Sequence, residues 1–128
     1  MARRARREDG QATTEVVLIV PVLLFVLLMV LQFGVWYHAQ HVATAAAQEG
    51  VRAARLEGGT ADAGHRRATE FLASAGPTVV TGPVVTASRD ADRATVEIAG
   101  RAATVVPGIS LPVRAVAAGP VERFRSGP

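Results

Sequence analysis

From Val16 to Val35 the chain carries no charged residue, and only Pro21, Gln32 and Gly34 interrupt the apolar run. Twenty residues at a helical rise of about 1.5 Å span roughly 30 Å, the thickness of a bilayer's hydrocarbon core. The core helix of a water-soluble domain normally keeps a polar face, and the run has none. The spacing predicts a transmembrane helix. Arg3, Arg4, Arg6 and Arg7 precede it, and a short arginine-rich flank resists translocation. Trp36 and Tyr37 stand where an aromatic belt marks the opposite interface. The expected arrangement is a single-pass anchor in the cytoplasmic membrane, with a cytoplasmic N-terminus and an extracytoplasmic C-terminal part.

This divides the chain into a basic leader (1–10), a transmembrane helix (11–35), a helical extension outside the membrane (36–57) and a small exported α+β domain (58–128). The domain is near the lower size limit for a self-sufficient core, and with no cysteine in the chain no disulfide supports it. The net charge of +3 does not indicate nucleic-acid binding. After Trp36 ten arginines face eight acids, and Phe71 and Phe124 are the only aromatics beyond Tyr37. A nucleic-acid surface needs a dense basic face, often with stacking aromatics.

Within residues 36–57 small side chains recur three and four apart, at Ala39, Ala43, Ala46, Ala47, Gly50, Ala53 and Ala54. Such a stripe lets another backbone approach closely. Two partners fit it equally: the chain's own C-terminal sheet, or a helix of another subunit. Glu49 and Arg52 are spaced as an exposed ion pair. Gly58-Gly59 should end the helix. A second helix is expected over 60–75, capped by Thr60 or Asp62, with Ala68, Phe71, Leu72 and Ala75 facing inward. Strands are expected at about 78–88, 94–106 and 111–121, forming an antiparallel meander covered on one face by the long helix. Gly82-Pro83 suggests an edge or a bulge in the first strand, and Gly100 a bulge in the second. The tail from Glu122 to Pro128 reads as disordered.

No enzyme is visible. The chain has no cysteine nucleophile, no serine in a nucleophile elbow and no phosphate-cradling glycine loop. His38 and His41 have a spacing able to hold a metal but lack a matching carboxylate or cysteine. Asp90 and Asp92 lack the further oxygens a calcium site needs and read as a hairpin turn. No cofactor and no small-molecule substrate are expected.

The most informative stretch is Gly10-Gln-Ala-Thr-Thr-Glu15 at the mouth of the apolar run. On physical grounds alone, Glu15 sits in the headgroup region and complements a helix N-terminus capped by Thr13 or Thr14. Pro21, inside the run, removes one backbone donor and should kink the helix.

A basic leader, a glycine, a glutamate five residues later and an apolar helix together resemble the leader of type IV pilins and pseudopilins. The match extends through Gly10, Ala12, Glu15, Pro21 and Gln32-Phe33-Gly34 to Ala46, Glu49, Gly50, Arg52 and Ala54. This set closely resembles the TadE-like family of the tight-adherence pilus system, over about residues 10–56. The resemblance implies a minor pilin or pseudopilin, cut by a prepilin peptidase between Gly10 and Gln11. Glu15 then pairs with the new amino group in its own or a neighbouring subunit. It implies as partners the membrane, the peptidase, other pilin-like subunits and the pilus assembly machinery. Gln11 departs from the aromatic first mature residue of many pilins. Two other readings remain: an uncut, membrane-anchored exported binding module, and a secreted protein cut near Thr44–Ala46.

Overall fold

The computed structural model describes residues 2–123, with the side chains of residue 10 and of residues 12–123. Helix α1 runs from Ala2 to Arg55, and α2 from Ala61 to Ala75. Strands β1 (Val80–Arg89), β2 (Arg93–Ala102) and β3 (Pro112–Pro120) follow in one antiparallel meander, ordered β1-β2-β3. The fold is therefore the expected α+β arrangement.

Helix α1 has 54 residues and is roughly 80 Å long. It continues through Pro21 without interruption. The leader is helical in its backbone from Ala2 onward. Alanine and arginine are good helix formers, and one interior glycine at position 10 costs only about 1 kcal/mol. Neither Thr13 nor Thr14 is consequently an N-cap. Thr14 lies inside the helix and its Oγ1 donates to the carbonyl of Gly10 at 2.8 Å.

The core lies under the second half of α1. Ala39, Ala43, Ala46, Ala47, Gly50 and Ala54 are buried, with Val42 and Val51 between them. They meet Ala68 and Leu72 of α2 and the inner sheet face of Val80, Val96, Ile98, Val113 and Ala115. The small-residue stripe is thus occupied by the chain's own α2 and sheet. The closest approach is at Gly50, where a Cβ would stand 2.9 Å from the Gly64 carbonyl and 3.0 Å from Ala68 Cβ. This tight contact also turns α2. Its buried residues are Gly64, Ala68 and Leu72, while Phe71 is half-buried and Ala75, expected inside, is exposed. Thr60 caps α2, its Oγ1 accepting the Ala63 amide at 3.0 Å.

The β1–β2 register shifts between Thr81 and Val84, so Gly82-Pro83 forms the bulge. Gly100 does not bulge, because β2 and β3 pair in register through it. It instead gives room for that bulge: a Cβ there would stand 3.1 Å from Val80 Cγ1 and 3.2 Å from the Thr81 carbonyl. The carbonyls of Leu56 and Gly59, just past the end of α1, receive Arg89 Nη1. At the same end of the sheet Glu122 and Arg123, expected in a disordered tail, are held. The Glu122 amide donates to the Arg55 carbonyl at 2.9 Å, and Arg123 Nη2 reaches Asp92 Oδ1 at 2.9 Å. The rest of that tail lies outside the described residues.

Candidate functional site

The candidate residues divide between the bare first half of α1 and the seam where α1 enters the domain. In the bare half the most apolar window has a mean hydropathy of 3.0 and is only 6% buried. A core helix would be covered by its own protein. This one is long and apolar enough to cross a membrane and presents Val16 to Leu27 outward on every side. Its length, composition and exposure fit a membrane anchor.

Gly10 and Glu15 stand on this bare helix, both exposed. The side chain of Gln11 lies outside the described residues. A Cβ at Gly10 would meet nothing within 4 Å. The fold thus places no steric demand for glycine there. Among the described residues Glu15 makes no salt bridge. Residues 11 and 15 are spaced i and i+4 along the helix backbone, about 6 Å of rise apart. Pro21 is exposed on the same bare segment.

The seam is built by three polar side chains four residues apart on α1. Gln32 is 1% exposed. Its Nε2 donates to the Ala103 carbonyl at 3.1 Å, and its Oε1 accepts the amides of Val105 at 2.7 Å and Val106 at 3.1 Å. One turn on, Trp36 Nε1 donates to the Pro112 carbonyl at 2.9 Å. A further turn on, Gln40 Nε2 donates to the Arg114 carbonyl and its Oε1 accepts the Arg114 amide at 3.3 Å. Gln40 thereby acts as a short strand along the outer edge of β3, an edge that would otherwise invite pairing. The same set explains why β2 stops at Ala102 and not at 106. The amides of Val105 and Val106 are taken by Gln32 and leave the ladder.

Sequence reasoning noted Gln32 only as an interruption and a motif residue, and gave Gln40 no role. The available signal was an amide inside an apolar run, with a tryptophan and a second glutamine at helical spacing after it. Glu49 does more than pair with Arg52: it accepts from Arg52 at 2.9 Å and from Arg67 of α2 at 3.2 Å. His38 and His41 are exposed, and the His41 ring meets Tyr37 edge-on at 4.4 Å. Among the described residues no group of three or more His, Cys, Asp or Glu gathers to hold a metal. Asp90 Oδ1 accepts the amides of Asp92 at 2.8 Å and Arg93 at 2.7 Å. These two donors hold its carboxyl below the usual carboxylate range.

Residues 10–52 match the family model described as TadE-like protein. The matched segment begins at Gly10 and ends three residues short of the C-terminus of α1. No curated protein and no solved structure matches the chain.

Proposed function

With residues 10–52 TadE-like and tied by that family to the tight-adherence pilus, we propose that this chain is a minor pilin or pseudopilin that is trimmed between Gly10 and Gln11 and then assembles through α1. It is a structural component and the substrate of a prepilin peptidase. The observation that carries the reading is Glu15, an exposed carboxylate at the mouth of a bare apolar helix.

A bilayer accounts for the apolar residues and tolerates Glu15 at its headgroup level, but packing α1 into an assembly takes the acid out of water. Burying a lone carboxylate is costly, and an α-ammonium one helical turn before it offers compensation. Removing the leader takes away four arginines and creates that ammonium at the new end of the same helix, one turn from Glu15. In a neighbouring subunit's helix it would serve equally to set register.

Gly10 supports the same reading from the steric side. Its Cβ position is open, so the fold itself does not require glycine there. A membrane-embedded peptidase does, because the scissile backbone has to extend into its active site. The Gly10 carbonyl is held in the helix by Thr14, so cleavage requires that turn to unwind. Glycine lowers the cost of unwinding by about 1 kcal/mol relative to alanine. The N-terminal arginines keep the leader cytoplasmic, on the side where the peptidase cuts, and leave the domain outside.

Mass spectrometry of the N-terminus, on protein extracted from membranes of the native host, tests the proposal. The expected first residue is Gln11, and Gly10→Leu should leave the leader intact. An uncut leader on the unaltered chain would overturn the processing and favour an anchored binding module.

A further inference from the structure

The domain has two unlike ends. At the end away from the apolar helix, Arg55, Arg89, Asp90, Asp92, Glu122 and Arg123 gather around the β1–β2 turn. At the end toward it the chain is uncharged: Phe71 to Ser88 and Ala102 to Val113 hold no Asp, Glu, Lys or Arg.

Those two uncharged segments are fastened to each other and to α1. The Ala103 amide donates to the Val79 carbonyl at 2.9 Å. Val79 lines a cleft with Val30, Leu31, Gly34, Val35 and His38 of α1. Gln32 holds Ala103, Val105 and Val106. Pro107 and Gly108 form the exposed tip of this loop, Gly108 at φ +83°, and Val105 and Ile109 flank it half-exposed.

The level of this attachment is the decisive point. Gln32 lies three residues inside the apolar run that ends at Val35, about 4–5 Å below its upper end. Leu28 and Met29, one turn deeper, are already half-covered, whereas Val16 to Leu27 are bare. The loop therefore begins at a depth where the helix itself is apolar enough for lipid. An amide at that depth is tolerable because its oxygen accepts two amides and its nitrogen donates to a carbonyl. Arg101, beside the loop, donates to Ser110 Oγ at 3.1 Å and is exposed. A guanidinium at that rim suits lipid phosphates.

We infer that the β2–β3 loop, residues 103–111, and the neighbouring Val79 rest in the headgroup and upper acyl region of the same bilayer that α1 crosses. The exported domain is then seated on lipid and does not stand clear of it. The inference rests on reading α1 as the membrane anchor. It commits to lipid because the loop's apolar surface is continuous with the bare helix and carries no charge from Ala102 to Val113.

The chain has no cysteine, so single sites can be labelled without background. Full-length Pro107→Cys, Ser110→Cys, Ala91→Cys and Val22→Cys would each carry an environment-sensitive NBD dye in phosphatidylcholine–phosphatidylglycerol vesicles. Lipids bearing shallow or deep nitroxides serve as quenchers. Pro107, Ser110 and Ala91 are exposed, so the labels leave the core untouched. The expected result is a blue-shifted emission and several-fold stronger quenching by shallow nitroxide at the two loop sites than at Ala91. Quenching at Val22, with both loop sites behaving like Ala91, would overturn the seating and leave the anchor standing. No quenching at Val22 would overturn both. A blue shift at the loop without quenching by lipid would place another protein copy there and overturn the lipid assignment.

Discussion

Gln32 and Val106 stand 74 positions apart in the chain, yet the side-chain oxygen of the first accepts the backbone amide of the second at 3.1 Å. The same oxygen takes the Val105 amide, so one amide side chain closes the loop against the helix. Replacing Gln32 with leucine keeps its volume and removes every one of these bonds. Buried donors left without partners cost about 1–3 kcal/mol. Gln32→Leu should lower the stability of the detergent-solubilised domain by that amount in a denaturant titration. Amide exchange at Val105 and Val106 should accelerate first.

Gly50 and Gly34 make a matched pair of substitutions on one helix. Alanine at 50 would press its Cβ against the Gly64 carbonyl at 2.9 Å, while at 34 it would meet nothing within 4 Å. Overpacking of this kind costs about 1–3 kcal/mol. Alanine in place of glycine in an unobstructed helix gains about 0.5–1 kcal/mol. Thermal melts should therefore move in opposite directions, down for Gly50→Ala and level or up for Gly34→Ala.

Glu15→Ala should leave the domain as stable as before, because Glu15 is remote from the core and forms no salt bridge among the described residues. Its effect should fall on assembly. Removing one partner of a buried ion pair costs about 3–5 kcal/mol. Co-purification with the pilus machinery from the native host should fall below detection while the membrane-bound amount stays unchanged. Equal recovery with that machinery would remove Glu15 from the assembly.

The β1–β2 turn should loosen in acid. Both amides bonded to Asp90 favour its charged form, so its folded pKa lies below the ordinary value of 3.8. A depressed carboxylate adds stability that is fully present above the unfolded value and is lost as pH falls through the folded one. Amide exchange at Asp92 and Arg93, corrected for intrinsic rates, should be flat down to about pH 5 and rise below about pH 4. Asp90→Asn should abolish that pH dependence.

What was legible in the sequence followed from periodicity and from breakers. The apolar run, the alanine stripe and the valine-rich strands announced every element, and Thr60 and Gly82-Pro83 marked a cap and a bulge. Features that depend on distant partners were not legible. The end of β2 is set by Gln32, which sits some seventy residues earlier. The inward face of α2 is set by the Gly50–Gly64 contact and not by its largest apolar residues. The helical leader went unseen because a charged flank is read for its electrostatics, while its backbone follows the propensities of alanine and arginine. At the candidate site, Gly10 and Glu15 were found through a family pattern. The fold supplies no internal reason for either residue, which is why physical reasoning on the isolated chain stops at a helix end.

Helix α1 is one unbroken element from the membrane-crossing half to the floor of the core, and Gln32, Trp36 and Gln40 pin the sheet to it where the two halves meet. The protein thus has no hinge between its lipid-facing stem and its headpiece. A pull or twist applied to the stem just before Gln32 is delivered to the strands through this pinned helix. Whatever grips the stem next to the seam can thereby set the position and azimuth of the headpiece.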